Sequence, residues 1–134
     1  IDQTFNRALK LWLLSVCGGI VMLFGCQYFY HIWIGNKVLV PFTVSLSTFI
    51  YVSFFNLNNF VTYLINGLNK IRIQIITSLV ITATYVLTIM SMGKQLGIEG
   101  IVLCMAASYA VMSLIHLYQC KLLIKGKATG IWNK

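Results

Sequence analysis

The sequence predicts an all-helical integral membrane segment with four transmembrane helices, and three observations carry that expectation. Of 134 residues 59% are hydrophobic and only 9% charged, whereas an ordinary soluble domain carries about a quarter charged residues. Four stretches, Leu11 to Gly35, Val38 to Asn69, Ile73 to Gly93 and Gly100 to Cys120, contain no Lys, Arg, Asp or Glu. Each reaches the roughly 20 residues that cross a bilayer core of about 30 Å. The basic residues also alternate by loop. Arg7 and Lys10 precede the first span, Lys70 and Arg72 lie between spans two and three, and Lys121, Lys125, Lys127 and Lys134 end the chain. Lys37 and Lys94 alone occupy the other two loops. That asymmetry is what short cytoplasmic loops show, so both ends are expected on the cytoplasmic side, with Lys37 and Glu99 outside. A soluble helical core would need polar outer faces that these segments lack.

The formal net charge of +8 invites a nucleic-acid reading, but no basic stripe is interleaved with exposed aromatics, and no nucleic-acid partner is expected. The chain opens on Ile1 and the polar IDQTFNRALK instead of Met and a signal peptide, which reads as a piece of a longer protein. Cys17, Cys26, Cys104 and Cys120 fall inside the expected spans without metal-ligand spacing and read as small packing residues.

The first span is expected over residues 11–30, with Trp12 at its inner end and Tyr28, Tyr30 and Trp33 at headgroup level outside. Ser15 and Gly19, Gly18 and Met22, and then Gly25 suit a close neighbouring helix. A turn through Gly35, Asn36 and Lys37 follows, and Pro41, which needs no backbone donor, opens the second span over 41–65. Asn56, Asn58 and Asn59 lie in its inner half, where unmet amides cost on the order of several kcal/mol. Ser45, Thr48, Asn56, Asn59 and Tyr63 fall near one face, with Asn58 and Thr62 well round from Asn56. Two roles fit these amides, bonds between helices or the lining of a hydrated cavity.

The third span, 73–93, divides most clearly. Gln74, Thr77, Ser78, Thr84, Tyr85, Thr88 and Ser91 occupy a sector of roughly 140°, opposite Ile75, Ile76, Leu79, Val80, Ala83, Val86, Leu87, Ile89 and Met90. One face suits lipid and the other protein or water. The fourth span, 100–123, is rich in small residues, with Gly100, Cys104 and Ser108 on one row and Ala106 and Ala110 on another. His116 reads as interfacial, with a proton relay as the alternative. Glu99 sits in the loop LGIEGI and is expected to be solvated, so no carboxylate is embedded in a span. No paired carboxylates, nucleophile constellation, phosphate loop or metal cluster is visible; the sequence points to neither an enzyme nor a cofactor or metal site.

Three motifs in order, IWIG after the first span, NGLNKIRIQ between the second and third, and LGIEGI before the fourth, resemble the C-terminal part of bacterial polysaccharide flippases. These are the Wzx-type O-antigen transporters of the MATE-like multidrug/oligosaccharidyl-lipid/polysaccharide exporter superfamily. The resemblance runs from about Asp2 to Leu123 and implies the last four helices of a twelve-helix, two-lobed transporter, the rest of which would be its partner. It further implies an inner-membrane protein that moves an undecaprenyl-diphosphate-linked oligosaccharide repeat unit between leaflets for surface polysaccharide synthesis. The family's cationic cavity residues have no counterpart inside a span here. Asn56, Asn59, Thr77, Ser78, Thr84 and Thr88 are the expected lining of the sugar path. A multidrug exporter of the same superfamily, or a small four-span scaffold, are the alternatives.

Overall fold

The computed structural model describes residues 2–35 and 40–133, and every regular element among them is helical: α1 (Asp2–Ile34), α2 (Phe42–Gly67), α3 (Arg72–Ile124) and a closing 3-10 turn, Gly130–Asn133. Ile1, Asn36, Lys37, Val38, Leu39 and Lys134 lie outside the described residues, and with them part of the first turn and two of the charge assignments. Two helices, Gln3–Ile34 and Arg72–Ile124, are long and apolar enough to cross a membrane. The amides and hydroxyls of α2 keep it out of that pair despite its 26 residues.

The first helix starts well before residue 11. Its 33 residues extend about 50 Å at 1.5 Å per residue. Phe5, Leu9 and Trp12 recur at helical spacing and face the same neighbours, so the polar opening segment is part of a packed helix. Phe5 is buried with Leu57, Val61, Ile65 and Cys120. Trp12, expected at the inner end of the first span, donates its indole N–H to the Ser53 carbonyl at 2.8 Å. Further along, the Tyr30 and Ser45 hydroxyls meet at 3.3 Å, which makes α1 and α2 antiparallel.

Pro41 is extended (φ −60°, ψ 138°) and ends the connection into α2, which carries no side-chain cap. The chain reverses again at the far end of α2. There Leu68 bonds back to Ile65, and Asn69 takes φ 57°, a left-handed conformation that asparagine tolerates.

The third helix corrects the expected loop between two separate spans. Helical geometry runs from Arg72 to Ile124 except at Gly97 (φ 62°, ψ −175°), a region essentially reserved for glycine. A straight helix would hold Thr77 and His116 about 58 Å apart. Their side chains are instead 3.0 Å apart. The chain therefore doubles back at Gly97 into two arms, 72–96 and 98–124. Gly100 is needed as well, because a Cβ there would lie 2.7 Å from that of Leu96. The second arm runs parallel to α2, as the pairs Tyr51 with Tyr109 (ring centroids 5.7 Å) and Asn58 with His116 (2.8 Å) require. Four helical segments thus lie alongside one another, with two kinds of end. Residues 68–71, the start of α1 and the chain's tail share one end; Gly35, Pro41 and Gly97 share the other.

Glu99, expected to be solvated, is half-buried and accepts a hydrogen bond from the Thr43 hydroxyl in the first turn of α2. Cys120 is fully buried, but Cys17 is exposed, so the packing role suits only part of the cysteine set.

Candidate functional site

The polar residues of α2 and of both arms of α3 converge near the tail end on His116, which is 1% exposed. Its position corrects the interfacial expectation. The parallel register of α2 against the second arm brings Asn58 opposite, and Asn58 Oδ1 lies 2.8 Å from His116 Nδ1. Thr62, one turn on, reaches the same nitrogen at 3.5 Å. From the other arm Thr77 Oγ1 lies 3.0 Å from Nε2. The Thr77 hydroxyl is also within 2.8 Å of the Ile73 carbonyl, and Gln74 donates to the Thr62 carbonyl at 3.4 Å. This closes a polar cluster across three segments. One turn nearer the tail Gln119, fully buried, donates to the carbonyls of Lys70 (3.1 Å) and Trp132 (3.5 Å). Its Oε1 is the one buried side-chain polar atom without a partner among the described residues.

A hollow of about 420 Å³ adjoins the cluster, floored by Asn58, Thr62, Gln74, Ser78 and His116 and walled by Ile75, Leu79 and Met112. The Asn58 amide nitrogen has no partner among the described residues and is not a fully enclosed atom, so it opens into this hollow. Two further hollows flank the seam between the arms. One, about 320 Å³, is bordered by Thr84, Tyr85, Thr88, Cys104 and Ser108; the other, about 290 Å³, by Ser78, Thr82, Tyr85, Ser108 and Tyr109.

Of the six residues expected to line a sugar path, Thr77 stands in the His116 cluster and Ser78 borders two hollows. Thr84 and Thr88 border the third, but their hydroxyls bond the carbonyls of Val80 and Thr84 in their own helix at 2.9 Å. Asn56 and Asn59 are half-buried and border none of the three. The Asn58/Thr62 row of α2, and not Asn56 or Asn59, borders the hollow beside His116. That row was visible as an i, i+4 pair. What the wheel could not supply was the register that sets it against His116.

Among the described residues no group of His, Cys, Asp and Glu could hold a metal ion. Of the nine apolar residues that the wheel sets opposite the polar sector of the first arm, Ile75 and Leu79 wall the hollow beside this cluster, and all nine are exposed except Ile89, which is half-buried. No family model, curated protein or solved structure matches the chain.

Proposed function

We propose that the chain is a membrane-embedded portion of a transporter, corresponding to the last four helices of a MATE-like polysaccharide flippase, and that its polar seam borders the path of a lipid-linked oligosaccharide. The observation that carries the reading is the contrast between inside and outside. A neutral cluster of amides, hydroxyls and one imidazole is sunk beneath apolar surfaces on which Phe24, Met22 and Met90 are each more than three-quarters exposed. Water does not tolerate such faces over this extent, whereas lipid or neighbouring helices do. The doubling of α3 at Gly97 supports four membrane crossings, because each arm at 1.5 Å per residue extends more than the roughly 30 Å of a bilayer core. The basic residues Arg7, Lys10, Lys70, Arg72, Lys121, Lys125 and Lys127 belong to the tail end, which the positive-inside rule makes cytoplasmic in an inner membrane.

Neutral hydrogen-bonding groups suit sugar hydroxyls. Each bond exchanged with water contributes only about 0.5–1.5 kcal/mol net, so a ligand is held without being trapped. The family assignment rests on the order of IWIG, NGLNKIRIQ and LGIEGI. The chain has no carboxylate within the proposed spans, the feature expected of an exporter of cationic drugs.

The test uses the complete transporter that contains this chain in a flippase-deficient strain, with Ser78 and Thr84 replaced singly by Leu. Lost surface polysaccharide with normal protein level and thermal stability is expected. Loss of export that only tracks loss of stability, or no loss, would reduce these groups to helix packing, where bonds between helices average roughly 0.6 kcal/mol.

A further inference from the structure

We propose that His116 is a proton-binding site built into the helical bundle, taking up a second ring proton at Nε2 without displacement of any heavy atom. The inference does not depend on the substrate of the transport reading. It rests on the way each ring nitrogen is partnered.

Asn58 Oδ1, 2.8 Å from Nδ1, is a carbonyl oxygen and can only accept, so Nδ1 carries a proton whether the ring is neutral or charged. Nε2 is different because its partner is a hydroxyl. Thr77 Oγ1 has one proton and two good acceptors, Nε2 at 3.0 Å and the Ile73 carbonyl at 2.8 Å, with the Gln74 carbonyl at 3.2 Å behind them. With a neutral ring the hydroxyl donates to Nε2. With a charged ring Nε2–H donates to Oγ1, and the hydroxyl proton turns onto Ile73, the usual bond of a helical threonine. Both states are fully hydrogen-bonded, and they differ by the rotation of one O–H. A buried histidine held for structure alone needs partners for only one state.

The surroundings leave the ring free to change state. From α2 it is faced by Asn58 and Thr62, from the first arm by Gln74 and Thr77, and from its own arm by Ser113, Gln119 and Cys120. Cys120 is the only titratable group in that set. The one acid whose side chain the structure describes, Glu99, bonds Thr43 at the opposite end. Lys70, whose carbonyl accepts from Gln119, turns its ammonium to the Asn133 carbonyl, and Arg72 opens α3. Among the described residues no carboxylate locks the imidazolium. The hollow of about 420 Å³ beside the ring, with Asn58, Thr62, Gln74, Ser78 and His116 set among apolar walls, is roomy enough for several waters. Water entering it would carry the proton: a hydronium gives up one O–H bond, Nε2 gains one N–H bond, and water takes the proton away on release.

The test follows the ring itself. The whole chain, with His31→Gln leaving one histidine, is reconstituted in lipid nanodiscs and its imidazole nitrogens are followed by 15N spectroscopy from mildly alkaline to mildly acidic pH. Nδ1 protonated and Nε2 bare at the alkaline limit, both protonated at the acidic limit, and full reversal with unchanged helical content are expected. Thr77→Val removes the acceptor that the charged state needs and should weaken proton binding about fivefold; Thr77→Ser should restore it. The proposal fails if the alkaline ring carries its proton on Nε2, if the ring stays neutral until the helices unfold, or if Thr77→Val titrates like the parent. The first two outcomes are read on the parent chain, so they hold even where Thr77→Val does not fold. None involves transport, so a failed ring leaves the export experiment to judge the function separately.

Discussion

At the tail end of the bundle Ile65 and Cys120 are completely buried, while toward the Gly97 end Phe24 and Met90 are each 80% exposed. Both ends draw on the same stock of Leu, Ile, Val and Phe, so hydrophobicity does not distinguish them. The difference lies in what ties the segments together. At the tail end the Trp12 indole, the Asn58–His116–Thr77 chain and the Gln119 bonds cross between segments. At the Gly97 end fewer cross-links occur among the described residues, and a groove of about 550 Å³ opens between α1 and α2 beside Gly19, Leu23, Phe29 and Val52. The tail end is a core made by this chain. The Gly97 end offers faces for something else to cover, which under the proposed function is lipid and the remaining helices.

The sharpest way to break the comparison is to ask whether the two ends lie in different compartments. In cells whose copy of the protein lacks its native cysteines, Cys placed at Gln95 should react with an impermeant reagent added outside, and Cys placed at Asn69 should not. This is an all-or-none contrast. Labelling at residue 69 alone would invert the topology, and labelling at both would remove the membrane from between them.

Next in size is a paired truncation. Ile65→Ala at the closed end should lower unfolding stability by about 2–5 kcal/mol, the range for emptying a well-packed core. Leu87→Ala, at a side chain 67% exposed, should cost less than about 0.5 kcal/mol in detergent. Denaturation of the purified protein followed by circular dichroism measures both. Equal losses would mean that the Gly97 end is as tightly packed as the tail end.

A third substitution marks where the open end is nonetheless constrained. Gly97→Ala puts a Cβ on a residue at φ 62°, ψ −175°, and should cost about 1–3 kcal/mol although the site itself is exposed. Stability unchanged by alanine would show that the two arms can be joined by another backbone geometry.

The contrast between the ends also explains what was legible in the sequence. Helix positions followed from charge-free length, and the turn near Asn69 from the NGLNK composition, because both depend on local chemistry. The reversal in α3 is expected in the right place but as a loop of several residues; the geometry shows a turn made at Gly97, with Gly100 leaving room for Leu96. The site was half legible. The wheel of a single helix places Thr77 and Ser78 on one face, whereas the meeting of His116 with Asn58 depends on a register between segments 58 residues apart. A helical wheel ranks faces within one segment and carries no information about which neighbour meets them.

The smallest expected effect probes a charged contact at the open end. Pro41 leaves the start of α2 without a side-chain cap, and its first turn holds no acidic residue. The Glu99 carboxylate, bonded to the Thr43 hydroxyl, brings from the neighbouring arm the negative charge that a helix N-terminus favours. Glu99→Gln keeps an acceptor for Thr43 and removes the charge. It should cost about 0.3–1 kcal/mol at low ionic strength, and the loss should shrink as salt rises, because the pair is only partly buried and is screened. Thr43→Val removes the bond and keeps the charge, so its loss should persist in salt. Combining Glu99→Gln with Ile65→Ala should give additive losses, since the two sites share no partner and sit at opposite ends. Coupling well above about 0.5 kcal/mol would mean that the open end transmits its packing to the closed one, and the division of the bundle into two independently held ends would have to be abandoned.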